Sequence, residues 1–304
     1  MPRDVKPILC VGSATVDNIY ALSSIPDEAT KVQASDFHQI SAGMAASAAA
    51  AIVRLGGRAS FCGRIGDDLG GQFFREDMVR AGVDVSPVLI EAGRTTTISS
   101  IMIDARGERL VCSFQDPDMT RDPSALNAEF IAQFGTVLVD VRWPEAAERC
   151  LRLANRTGIP SILDADIAEN AVFEALVPLA THPVFSEPAF LKYTGAYSID
   201  DAFANLPKTL SGFVGVTLGA NGVRWRDAGK VHSCPPPDMQ VVDTLAAGDV
   251  FHGAFALAIC EGQQIAQAAR FATVAATLKC TRFGGRLGTP DRDEVNAVLQ
   301  DSAG

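Results

Sequence analysis

Short apolar runs recur along the chain with room for a helix between them: Ile8–Val11, Ala59–Cys62, Thr136–Val139, Ser161–Asp164, Pro183–Ser186 and Gly215–Leu218. Runs of this kind fit strands covered on both faces, and strands alternating with helices build a largely parallel sheet. The pattern predicts an α/β fold with a doubly wound, mostly parallel sheet flanked by helices. Two stretches break the rhythm, residues 13–41 and 93–115. In the second, Thr95-Thr96-Thr97 and Ile98–Asp104 carry β-branched or alternating side chains ahead of the turn Ala105-Arg106-Gly107. Both stretches are expected to supply extra antiparallel strands that meet as a small discontinuous β lid, within a single domain spanning residues 1–304. Pro235-Pro236-Pro237 is a stiff connector, too short for a domain hinge.

Composition narrows the function classes. Of 304 residues, 47% are hydrophobic and 20% charged, which is globular rather than disordered. A net charge of −10 argues against a nucleic-acid partner, since phosphate backbones are bound through clustered Lys and Arg. An anionic ligand must then be held by local positive potential. The seven cysteines are odd in number and form no C-x-x-C pair, which fits reduced thiols in a cytoplasmic protein. Met1 to Gly12 enters an apolar run with no signal-peptide h-region, so no export is expected. The most apolar helical stretch, Ala42 to Val53, stops at Arg54, short of the about 20 residues that span a bilayer. No membrane partner is expected.

The densest chemistry lies between Val241 and Ala254. A strand-like dipeptide enters a turn of small residues and then a helix, whose first N–H groups lack intrahelical acceptors and point at whatever sits there. Small side chains let a phosphate approach, and the helix dipole favours its charge. A carboxylate at Asp249 can take a proton from an alcohol as it attacks phosphorus. On residue types alone, capping a helix is the commoner task for Asp243 and Asp249. No G-x-G-x-x-G follows the first strand and no G-x-x-x-x-G-K-[ST] occurs, which excludes the usual nicotinamide and P-loop motifs.

Asp243-Thr244-x-x-Ala247-Gly248-Asp249 resembles the D-T-x-G-A-G-D signature of the ribokinase/PfkB sugar kinases. Other stretches follow that family's order over nearly the whole chain: Gly12-x-x-x-x-Asp17, Ala42-Gly43 with its Ala-rich helix, Cys62 to Gly70, and Val216 to Gly222. The resemblance implies that Asp249 is the general base and that the amides of Ala246, Ala247 and Gly248 form an anion hole. It also implies that Asp17 and Gly43 bind the sugar. ATP would contact Thr217, Gly219, Asn221, Gly222, Thr244, Ala275 and Gly284, with Mg2+ bridging its phosphates. Ala246 replaces the signature's glycine, and Ser186-Glu187-Pro188-Ala189 replaces the frequent N-x-x-E, so no residue is assigned as a metal ligand.

Asp140-Val141-Arg142-Trp143, Phe185 to Pro188 and Leu278 to Arg286 look like segments of the sulfofructose kinases within that family. This implies 6-deoxy-6-sulfofructose as acceptor of a phosphoryl group on its 1-hydroxyl. Arg142 is expected to meet the sugar's anionic end from the core side and Lys31 from the lid, while a salt bridge from Arg142 to Asp140 or Glu145 is the structural alternative. Ser113 stands where the subgroup carries an amide. His252, Trp143 and Trp225 read as packed residues. A homodimer through an apolar lid face is expected. Other PfkB kinases, of the ketohexokinase, ribokinase or phosphofructokinase type, and a non-catalytic sugar- or nucleotide-binding homologue are the alternatives.

Overall fold

Each of the six apolar runs forms a strand, and together they make the parallel centre of one sheet. A computed structural model describes residues 5–120 and 122–301; the first four residues of the N-terminal approach lie outside them. The strands are β1 (Ile8–Val11), β2 (Thr15–Ala21), β3 (Asp36–Ala42), β4 (Ala59–Cys62), β5 (Arg64–Gly66), β6 (Leu89–Glu91), β7 (Thr97–Ile103), β8 (Arg109–Phe114), β9 (Thr136–Asp140), β10 (Ser161–Ala165), β11 (His182–Ser186), β12 (Val214–Thr217), β13 (Val223–Asp227) and β14 (Lys230–Cys234). The α-helices are α1 (Met44–Arg54), α2 (Leu69–Arg80), α3 (Ala128–Ile131), α4 (Pro144–Thr157), α5 (Asn170–Leu176), α6 (Glu187–Thr194), α7 (Ile199–Ala204), α8 (Ala247–Cys260), α9 (Ile265–Cys280) and α10 (Arg292–Asp301).

The large sheet runs β14-β13-β12-β11-β10-β9-β1-β4, parallel from β12 to β4. Its last two strands, β13 and β14, form an antiparallel hairpin that the sequence pattern does not anticipate. Side chains of β1 alternate between two cores. Ile8 and Cys10 pack toward the Ala-rich helices α1, α8 and α9, while Leu9 and Val11 face α4, α5 and α6. Helices α1 and α8 lie close because their contact is made of small residues: a Cβ on Gly253 would sit 2.5 Å from the Ala48 carbonyl. Trp143 and Trp225 are buried in these cores, as expected.

Chain order reverses between β1 and β9, since β4 lies on one side of β1 and β9 on the other. Ligands of open α/β sheets bind outside the carboxyl ends of strands at such a point. Above that edge stands a four-stranded sheet, β3-β2-β7-β8, built from the two stretches that break the α/β rhythm. Its outer pairs are antiparallel, but β2 and β7 run parallel. Those two strands come from separate insertions and meet side by side, so no hairpin constrains their direction.

Candidate active site

The carboxyl ends of β1, β9 and β10 open into a cavity of about 530 Å³, roofed by the small sheet and closed on one side by the head of α8. Asp140, at the end of β9, organises its floor. Its Oδ2 accepts from Ser13 N at 2.8 Å, Ser13 Oγ at 3.0 Å and Ala45 N at 3.1 Å, and its Oδ1 accepts from Arg142 N at 2.8 Å. One carboxylate thereby ties the loop after β1 to the start of α1 and to the loop after β9. Gly43 makes the turn into α1 at φ 106°, and a Cβ there would lie 2.3 Å from the Ser13 carbonyl. The position admits glycine alone.

Asp249 lies in the first turn of α8 and lines the cavity. Burial raises its pKa well above the ordinary carboxylate value, and the charge of Asp164 adds to this; His252 and a hydrogen bond from Ser47 oppose it. The upward shift makes the carboxylate a stronger base toward an alcohol proton than a solvated Asp. Asp164, behind it, is also raised, first by burial and then by Asp140 and Asp166. His252 is packed as expected: Nδ1 is 2.7 Å from the Gly248 carbonyl and 3.4 Å from Asp164 Oδ2, and Nε2 is 3.3 Å from the Val184 carbonyl.

The helix is entered through Ala246, which has φ 62° and ψ 12° and no side-chain cap. The first amide to close an α-helical turn is Val250 N, onto the Ala246 carbonyl at 3.0 Å. Amides ahead of it are the ones a helix leaves without an intrahelical acceptor, but Ala247 N, expected in the anion hole, already donates to the Thr244 carbonyl at 3.2 Å. Asp243 does not cap α8. Its side chain is turned inward and buried, where Oδ1 accepts from Leu245 N at 2.8 Å.

On the opposite wall, Asp17 of β2 faces Ser99 of β7 across the parallel pair. Burial pushes the Asp17 carboxyl up to about 6, against a hydrogen bond from Ser99 and the charge of Arg286. Among the described residues, three arginines reach the cavity wall. Arg142 donates to the Ile167 carbonyl at 3.1 Å and pairs with Asp166 at 3.3 Å, so its acidic partner is neither Asp140 nor Glu145. Arg64 stacks over Trp143 at 4.5 Å and donates to the Thr120 carbonyl at 2.5 Å. Arg286 is buried, bound to Ser41 Oγ at 2.7 Å and to the Asp77 carboxylate. Sequence reasoning assigned no role to Arg64, Arg286 or Asp166, and Asp140 entered it only as an alternative partner of Arg142, although both arginines lie inside glycine-containing stretches that it singled out.

Of the sequence-selected residues, Asp17, Gly43, Arg142, Ala246 and Asp249 line this cavity. Ala247 and Gly248 are the next residues of the α8 head. Thr217, Gly219, Asn221 and Gly222 stand farther along the same sheet edge, at the end of β12 and its short 3-10 turn. Thr244 is exposed. Gly284 takes φ 103° beside the cavity residue Gly285. Two positions differ from expectation. Ala275 is fully buried in the α8–α9 core, without surface to offer a nucleotide. Lys31 lies in the exposed loop between β2 and β3 and is not part of the cavity wall.

A family model, the pfkB family carbohydrate kinase, matches residues 5–292. The chain belongs to that family. The kinase is therefore a phosphotransferase with an alcohol group as acceptor. It is 29% identical to the ribokinase of Bacillus subtilis over 97% of this chain and 100% of that one. Among solved structures, a putative ribokinase from Agrobacterium tumefaciens is 43% identical, with a TM-score of 0.96 over 98% of this chain and 99% of that one. Arabidopsis thaliana ribokinase, solved with ribose and ATP, is 25% identical, with a TM-score of 0.82 over 97% and 99% of the two chains. Among the described residues no helix is long and apolar enough to cross a membrane.

Proposed function

We propose that this sugar kinase uses ATP to phosphorylate a primary hydroxyl, with Asp249 as the base. The observation that carries the reading is the placement of Asp249: a carboxyl group of raised pKa at the head of a helix, opening into the same cavity as Asp17. In this reading Asp249 takes the hydroxyl proton as oxygen attacks the γ-phosphorus. Amides of Ala246 and Gly248 receive charge on the transferred group, where fixed dipoles cost no reorganisation, while the Ala247 amide is held by the Thr244 carbonyl. Asp17 accepts hydrogen bonds from sugar hydroxyls, and the Gly43 turn shapes the floor beneath them. The nucleotide lies along the edge from Thr217 to Gly222, toward Thr244 and Gly284. The small sheet acts as a lid that excludes water from the cavity.

Among the described residues no group of three or more His, Cys, Asp or Glu side chains is placed to hold a metal ion. Mg2+ bound with the nucleotide would supply countercharge that a protein of net charge −10 lacks. The seven free cysteines suit a cytoplasmic location.

For the acceptor, we infer a ketose with a terminal anion, 6-deoxy-6-sulfofructose, taken at its 1-hydroxyl. Arg64 and Arg142 on the cavity wall support it, because a desolvated anion needs fixed guanidinium donors. The test is a phosphorylation screen of ribose, fructose, fructose 6-phosphate and 6-deoxy-6-sulfofructose. Asp249→Asn should lower kcat by about a thousandfold on the best acceptor. Arg142→Ala should weaken turnover of the anionic sugars alone; equal loss on neutral sugars refutes the assigned anion pocket.

A further inference from the structure

Lys279, near the end of α9, is fully buried. A charge enclosed in protein is costly unless it is paired and hydrogen-bonded. The Lys279 ammonium lies 3.0 Å from Asp243 Oδ2 and donates to the Asp243 carbonyl at 2.7 Å. Burial lowers its pKa, and the Asp243 charge holds it up against that. The same carboxylate collects amides from two loops: Leu245 N at 2.8 Å, Gly284 N at 3.2 Å and Gly285 N at 3.0 Å. Amides of Val242 and Asp243 are fastened in turn to the Cys280 carbonyl, at 2.7 and 3.1 Å.

These bonds all meet under the wall of the cavity, since Leu245, Ala246 and Gly285 line it. Apolar side chains of similar volume would often pack there with no loss of stability, so stability alone does not account for an enclosed ion pair. Geometry does. The ammonium pins a carbonyl three residues ahead of Ala246, which holds the non-glycine left-handed conformation through which α8 is entered.

We infer that Lys279 is a positioning residue for phosphoryl transfer: its ion pair with Asp243 locks the 243–246 loop to the 284–285 turn and keeps the head amides of α8 aimed into the cavity. The inference rests on the proposed role of that helix head. Removal of the ammonium should reduce the rate of transfer more than the affinity for either substrate, because misaimed donors cost most where charge develops.

The experiment uses the full chain with ATP and ribose, fructose or 6-deoxy-6-sulfofructose, whichever the parent turns over fastest. Thermal unfolding of each variant is recorded beside its kinetics. Lys279→Gln and Lys279→Ala should lower kcat by about tenfold to a hundredfold with KM values nearly unchanged. Added methylammonium chloride should restore part of the loss in Lys279→Ala, and sodium chloride should not. Folded variants with kcat within about twofold of the parent, or a loss that methylammonium does not repair, overturn the inference. Should neither variant fold, Asp243→Asn with Lys279→Met leaves no unpaired charge and takes their place. A parental kcat in that double variant overturns the inference, and a folded protein with reduced kcat supports it. Asp249→Asn is the control for the underlying reading: if it retains full activity, the site itself is wrong, whereas an inactive Asp249→Asn beside unimpaired Lys279 variants condemns the ion pair alone.

Discussion

Asp17 shows how one side chain sets a pH limit on the proposed chemistry. Its pKa of about 6, raised by burial, leaves it protonated in the folded protein over a range where a solvated Asp is already ionised. A carboxylate accepts hydrogen bonds from sugar hydroxyls, whereas the protonated acid must spend its proton as a donor. Sugar affinity should therefore be full above the raised value and fall as pH drops through it, with KM rising about tenfold per pH unit below that point. Initial rates at varied sugar concentration across this range give the test, and a flat KM would remove Asp17 from sugar binding. The shift itself is not legible in a sequence. Gly12-x-x-x-x-Asp17 marks the residue, but the burial that tunes it comes from a sheet assembled from distant segments. Arg64 and Arg286 stayed unassigned for the same reason: their partners Thr120, Ser41 and Asp77 are remote along the chain.

At the scale of elements, the strands of the parallel sheet were readable because each is an uninterrupted apolar run. The β13–β14 hairpin was not, since Arg224, Arg226 and Lys230 make it look like exposed loop. The parallel pairing of β2 with β7 was hidden too, because register between separate insertions is a tertiary property. Entry into α8 lies between these cases. A run of small residues predicts a tight turn, and only the backbone reveals that Ala246 carries a positive φ of 62°. Its Cβ crowds the backbone in that conformation, at a cost of about 1–2 kcal/mol that glycine avoids, while glycine gains entropy in the unfolded chain. Ala246→Gly should raise stability by about 0.5–1 kcal/mol, read as a higher urea midpoint at unchanged slope. An unchanged or lower midpoint would mean that the turn relaxes around the methyl group.

For the whole molecule, the open question is what covers the outer face of the small sheet. Its strands sort side chains by alternation. Asp17, Ser99, Ile101, Val111 and Ser113 turn toward the cavity, so their neighbours in sequence turn away. Cross-strand pairs on that outer side are Tyr20 with Phe37, Met102 with Leu110 and Ile98 with Phe114. Of these, Phe37, Ile98, Leu110 and Phe114 are each 42% to 52% exposed in the single chain. Contiguous exposed apolar side chains on a sheet mark an interaction surface more often than a solvated one. Two copies related by a two-fold axis can cover the same patch on each other without leaving an open end. Pairing of this kind would also brace the roof of both cavities, coupling assembly to closure over the sugar. We propose a homodimer through this face, and Leu110→Glu with Phe114→Glu should dissociate it by placing like charges on both sides of the interface. Light scattering coupled to size exclusion reads the mass directly. A parent that elutes as a monomer at micromolar concentration, or a double variant that remains dimeric, rules this face out as the interface.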